Sequence, residues 1–240
     1  MAISFIGAVG SSATNGGDVT LTLPGPPIAD DFVIVSFAIG DNDGNDFDMG
    51  MITAGYTEVA DLHAENTQDC DLGVFWKVMG GTPDTTAEVN GLGGVDAAVA
   101  AVCMVFRGVD TVTPMDVTPT TVTGISSADA DPPSIDHNNP AGVWTVVAAA
   151  AAHTLTTGSF VFGASYTTNK VDQWSDDTGS DITVGMGYSE TPADPENPAA
   201  LNHSGSDSTA FSWCACTMAL RPAVAAAASG VGWYGPVGWF

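Results

Sequence analysis

The chain has 240 residues, of which 28 are Asp or Glu and 4 are Lys or Arg, for a formal net charge of -24. A surface of that sign repels phosphate backbones and anionic lipid headgroups, so nucleic acid and membrane surfaces are excluded as partners and cations are favoured. The hydrophobic share is 45%, enough for a packed core, and the longest small-apolar run, 142–152, is too short for a spanning helix.

In chain order, short β-rich runs alternate with turn clusters, the pattern of a sandwich or barrel. The opening MAISF has neither the basic region nor the apolar run of a secretory signal, which points to folding in a cytoplasm. Strands are expected at 3–9, 18–23, 32–39, 56–62, 72–78, 85–89, 97–106, 144–151, 159–164, 182–188 and 211–220. The LPGPP stretch at 23–27 removes backbone donors and fixes φ, ending one strand; Gly16-Gly17, Gly80-Gly81 and Gly93-Gly94 suit tight connections. The runs 97–106 and 144–151 lack polar alternation and are placed centrally, covered on both faces. Ala148 to Ala152 would suit a helix, but the flanking WTVV and TLTT favour a strand in which the alanines let another layer or subunit approach closely. The fold expected is an all-β antiparallel sandwich, jelly-roll-like, over 1–221, followed by an Ala/Gly-rich arm, 222–240. Trp233, Tyr234, Trp239 and Phe240 give that arm an adhesive tip, docking on its own domain or on a neighbouring chain.

Candidate chemistry is sparse. The loop DNDGNDFD places Asp41, Asp43, Asp46 and Asp48 together, a set of hard oxygen ligands suited to calcium, but with its glycine too early and no closing Glu for an EF-hand; a calcium site and a solvated turn both remain open. A second acidic group, Asp172, Asp176, Asp177 and Asp181, reads as a solvated loop. Glu58, Glu65, Glu88, Glu190 and Glu196 are scattered, and no pair is marked as a glycosidase dyad. His63, His137, His153 and His203 show no metal-binding spacing, and neither a nucleophile elbow nor a phosphate-binding loop is present. Of the cysteines, Cys214 and Cys216 share one face of a strand, Cys103 reads as a buried thiol and Cys70 could be exposed; no zinc framework is formed. Each of Lys77, Arg107, Lys170 and Arg221 is expected to pair with a carboxylate, Arg107 with Asp110 across the turn that follows it. The pattern as a whole is that of a non-catalytic chain.

Three segments carry a resemblance: GYTEVADL at 55–62, VFWKVMGGTP at 74–83 and VFRGVDTVTPMD at 105–116. In this order they resemble the β-sandwich virion proteins of tailed bacteriophages, over roughly residues 30 to 220. The resemblance implies a virion component assembled in the host cytoplasm, a head decoration or spike subunit or a tail-associated protein, contacting other copies of itself and other virion proteins. Phe106 stands where that family often has Tyr, and the aromatic tip is outside the pattern. The alternative reading is a tail-associated module that binds host glycan, with Trp174 and Tyr166 as exposed stacking rings.

Overall fold

In the computed structural model, the described residues are 1–42, 44–66, 68–92, 97–125, 129–153, 158–166, 170–177, 180–203 and 212–224. They contain strands and no helix: β1 (Ser4–Ala13), β2 (Val19–Thr22), β3 (Phe32–Asp41), β4 (Thr57–Ala64), β5 (Asp69–Val78), β6 (Thr86–Val89), β7 (Ala98–Arg107), β8 (Thr120–Gly124), β9 (Asp129–Ala130), β10 (Trp144–His153), β11 (Phe160–Val161), β12 (Lys170–Asp177), β13 (Ser180–Ser189), β14 (Leu201–His203) and β15 (Trp213–Leu220). Two five-stranded antiparallel sheets face each other, ordered β1-β7-β3-β5-β4 and β12-β13-β10-β15-β8. The short pair β2-β6 covers the outside of the first sheet, and β11-β14-β9 covers the outside of the second. The all-β sandwich is as expected. Its strand order does not confirm a jelly roll, because each large sheet takes its strands from one half of the chain.

This four-layer stack explains the strands without polar alternation. Along β3, Phe32, Ile34 and Ala38 enter the core between the sheets, while Val33, Val35, Phe37 and Ile39 face the β2-β6 layer. Strand β7 divides the same way: Met104 and Phe106 point inward, Cys103 and Val105 outward. A period of two with both faces covered leaves no position for water, so from Phe32 to Gly40 and from Ala98 to Phe106 every side chain is apolar or small. The alanines of β10 follow the same rule. Ala148, Ala150 and Ala152 meet the first sheet, whereas Ala149 and Ala151 lie under Phe160 and Phe162 of the outer layer. The close neighbour inferred from the alanine run is therefore a third layer of the same chain. Glycines meet the same need on β13, where a Cβ on Gly187 would lie 2.7 Å from the Phe162 ring.

Sequence and structure differ mainly at the margins. The acidic stretch expected to be a solvated loop forms the edge strand β12, which joins the second sheet beside β13. Its ordering contacts come from β1: Ser175 Oγ donates to the Ala13 carbonyl at 2.7 Å, and Gln173 Nε2 donates to Ser12 Oγ at 3.2 Å. Cys70, which the sequence left open to exposure, is buried in β5. Arg107 does not pair with Asp110. Its Nε and Nη2 donate to the two oxygens of the fully buried Asp31 at 2.7 and 2.8 Å.

Because β10 is packed on both sides, enlarging it should cost stability. Ala150→Leu is expected to destabilise the fold by about 1–3 kcal/mol through overpacking, read as a lowered midpoint in urea denaturation. An unchanged midpoint would mean that the sheets are not in close contact at that strand.

Candidate functional site

The two ends of the sandwich differ in chemistry, and each has a candidate site. At the first, β3 begins, β7 ends, and Phe106 stands edge-on to Trp144 and Tyr188 of the opposite sheet. The VFRGVDTVTPMD segment turns here. Gly108 has φ of +82° and a Cβ on it would lie 2.3 Å from the Ala2 carbonyl oxygen, so only glycine fits. Asp110 Oδ1 accepts from the amides of Val112 and Thr113, both at 2.9 Å, closing the turn; the Thr113 and Val112 amides hold its carboxyl below the usual range. Asp116 is buried and accepts from the amides of Asn138 and Asn139 at 2.7 and 3.0 Å, with Arg221 Nε at 3.4 Å.

The same turn clasps the end of the described chain. Ala223 N donates to the Gly108 carbonyl at 2.8 Å, Asp110 N to the Arg221 carbonyl at 2.9 Å and Arg221 N to the Pro114 carbonyl at 2.8 Å. The Met1 ammonium donates to the Ala223 carbonyl. Beside this clasp lies a hollow of about 390 Å3, lined by Met1, Ile3, Trp144, Arg221, Pro222 and Val224 among others. Of its lining residues, Met1 and Val224 expose apolar side chains. The tip residues expected to make the anchor, Trp233, Tyr234, Trp239 and Phe240, lie outside the described residues.

At the opposite end β3 finishes at Asp41, opposite the buried Asp69 of β5. The acidic loop then folds back over β4 and β5, because carboxylates of those strands accept its amides. Gly44 N donates to Asp69 Oδ2 at 2.7 Å, Phe47 N to Asp71 Oδ1 at 3.2 Å and Met49 N to Asp61 Oδ2 at 3.3 Å. Three of the four aspartates expected to suit calcium fall among the described residues. Asp43 lies outside the described residues, Asp41 is buried at the end of β3, and Asp46 and Asp48 are exposed. Asp46 instead comes together with His63 of β4 and Asp71 of β5, the potential ligand atoms of all three lying within 4.8 Å of one another.

His63 Nδ1 is 3.0 Å from Asp71 Oδ1. Burial pushes the Asp71 carboxyl up, to about 7, even with His63 beside it drawing it down. Burial alone would lower the His63 imidazole, but the Asp71 carboxylate outweighs that and the pair raises it above its ordinary value. Asp71 Oδ2 is buried and has no hydrogen-bond partner. Sequence spacing could not show this group, because its members come from a loop and two strands joined by the β4-β5 register, which sets His63 opposite Asp71.

Glu196 is buried and accepts from Tyr166 Oη at 2.9 Å and Ala193 N at 2.6 Å, whereas Glu58, Glu65 and Glu190 are exposed and Glu88 half-buried. Tyr166, expected to be an exposed stacking ring, is therefore a buried one, its hydroxyl pushed well above its ordinary value by burial and by Glu196. Trp174 is half-buried on β12, beside a shallow hollow of about 410 Å3 shared with Ser12, Thr14 and Gln173. His137 Nε2 lies 3.1 Å from Thr145 Oγ1, and His153 and His203 set their Nε2 atoms 2.8 and 3.0 Å from Thr183 Oγ1. Lys77 pairs with Asp84 at 2.6 Å. Lys170 opens β12 and donates to the Phe160 carbonyl at 2.9 Å. Asp172 Oδ2 accepts from Phe160 N at 3.1 Å.

All four cysteines are free and buried. Burial pushes the Cys103 and Cys216 thiols up to about 12 and raises Cys70 well above its ordinary value, while Cys214 Sγ donates to the Cys70 carbonyl at 3.3 Å. The folded protein should therefore react with no equivalent of a thiol reagent at pH 8 and with four in denaturant. Rapid labelling of the native state would contradict this burial.

Comparison with protein-family models, with curated proteins and with solved structures finds no match for this chain.

Proposed function

We propose that the chain is a structural subunit of a phage-type virion, a head-decoration or spike protein. It would act as a closed homo-oligomer anchored by protein contacts at one end of its sandwich and perform no catalysis. The observation that carries this reading is the polarity of the body. The end where the chain leaves the described fold is clasped by the 108–116 turn and bears the apolar hollow, with Met1 and Val224 exposed in its lining. The sequence continues from there into an arm holding Trp233, Tyr234, Trp239 and Phe240, residue types that dominate protein interfaces. The other end presents the acidic loop. A subunit built this way docks by one end and projects the other, and its anionic exterior does not compete for packaged nucleic acid.

The sequence motifs behind the virion resemblance have mechanical roles in this arrangement. VFRGVDTVTPMD supplies the clasp, and VFWKVMGGTP ends β5 with Lys77 tied to Asp84. The glycan-binding alternative is the lesser reading, since of its two expected stacking rings Tyr166 is in the core and Trp174 is only half-buried.

Deleting residues 231–240 tests the anchor. The truncated protein should keep the circular-dichroism spectrum and melting temperature of the full chain but be missing from purified particles in which the full chain is found. Undiminished occupancy would overturn the anchoring role of the arm. Absence of the full chain itself from particles would overturn the virion assignment.

A further inference from the structure

We propose that Asp46, His63 and Asp71 form a binding site for a divalent transition-metal ion of the zinc class, which would staple the acidic loop onto the β4-β5 ladder. The three side chains come from three separate segments, and their potential ligand atoms already lie within 4.8 Å of one another. Ligands that share one zinc ion at its usual bond lengths stand roughly 3 Å apart. The 3.0 Å between His63 Nδ1 and Asp71 Oδ1 is of that size, and only the exposed Asp46 has to swing inward.

A plain His–Asp ion pair would give the same short distance, so it is not the argument. The argument is the other oxygen of Asp71. Its Oδ1 serves both His63 and the Phe47 amide, whereas Oδ2 is buried with no hydrogen-bond partner in a side chain that has no exposed surface. An acceptor of that kind is costly to leave unmatched, and a cation held by both oxygens of Asp71 would satisfy it. Asp46 adds to the need. It repels the Asp71 carboxylate across the site, and Asp69 adds further negative potential beside the imidazole. A divalent ion would turn that repulsion into shared coordination.

The donor set selects the kind of ion. Calcium takes six to eight oxygens, and an imidazole nitrogen is a poor substitute for one of them. One imidazole with two carboxylates suits zinc and its neighbours. Three protein ligands leave the remaining positions to water, as expected for a site at a loop edge.

The test is calorimetric titration of chelator-treated full-length protein with zinc chloride and, separately, with calcium chloride, on the wild type and on Asp46→Ala and His63→Gln. Asp46 is exposed, so its variant should fold normally, and circular dichroism checks both. One zinc should bind per chain, at least tenfold more weakly in either variant, with calcium at least tenfold weaker than zinc in the wild type. Zinc should also raise the melting temperature of the wild type and not of His63→Gln. No zinc binding, equal binding to wild type and His63→Gln, or calcium binding as tight as zinc would each overturn the site. The first would leave Asp71 as an ion-pair partner only, and the second would show diffuse attraction to the acidic surface. None of these outcomes depends on whether the chain enters a particle.

Discussion

Burial of both faces of the central strands is the constraint on which the rest of this structure depends. Strands β3, β7, β10 and β15 each touch one layer with their even residues and another with their odd ones. Most of their side chains must therefore be apolar, and where layers come close they must be small. This is why Ala148 to Ala152 sit in a strand against their intrinsic preference for helix. A local propensity of a few tenths of a kcal/mol per residue is outweighed when each position gains two sets of neighbours. Two of the carboxylates that do enter are matched to specific donors. Asp31 holds a guanidinium fork and the Ile28 amide, and Asp116 holds two amides and Arg221.

With 28 acids and 4 bases, cations could not neutralise the surface. The structure places its arginines where they matter most, on carboxylates with no exposed side-chain surface. Backbone amides do the rest. Asp69, Asp71, Asp110 and Asp116 are each met by loop N–H groups, so negative charge organises turns as well as repelling solutes. Acid-rich loops of this kind hold themselves down on the strands beneath them.

The sheets were legible in the sequence because alternation and its absence are local signals. The runs 97–106 and 144–151 show by composition alone that they are covered on two sides. Edge strands are harder to read. β12 carries Asp172, Gln173, Ser175 and two further aspartates, a composition that resembles a loop until β1 supplies the contacts that order it. Pairings across long separations were not legible at all. Arg107 has an aspartate three residues away, yet its partner is Asp31, 76 residues distant, since strand register and not chain proximity brings a carboxylate to the fork. The same holds for His63 and Asp71, which sit opposite each other only through the β4-β5 ladder. The run of acids at 41–48 marks an anionic loop, but the carboxylates that receive its amides, Asp61, Asp69 and Asp71, are its neighbours in space and not in sequence.

Each large sheet is drawn from a continuous half of the chain, 4–107 and then 120–220. During synthesis the first sheet can complete its ladders before most of the second has been made, but Phe32, Ile34, Met104 and Phe106 would then face water with nothing opposite them. For that interval the nascent protein is a half-sandwich with one greasy side, a natural client for a chaperone. Its escape from aggregation depends on how promptly β10 and β15 arrive to close the lid.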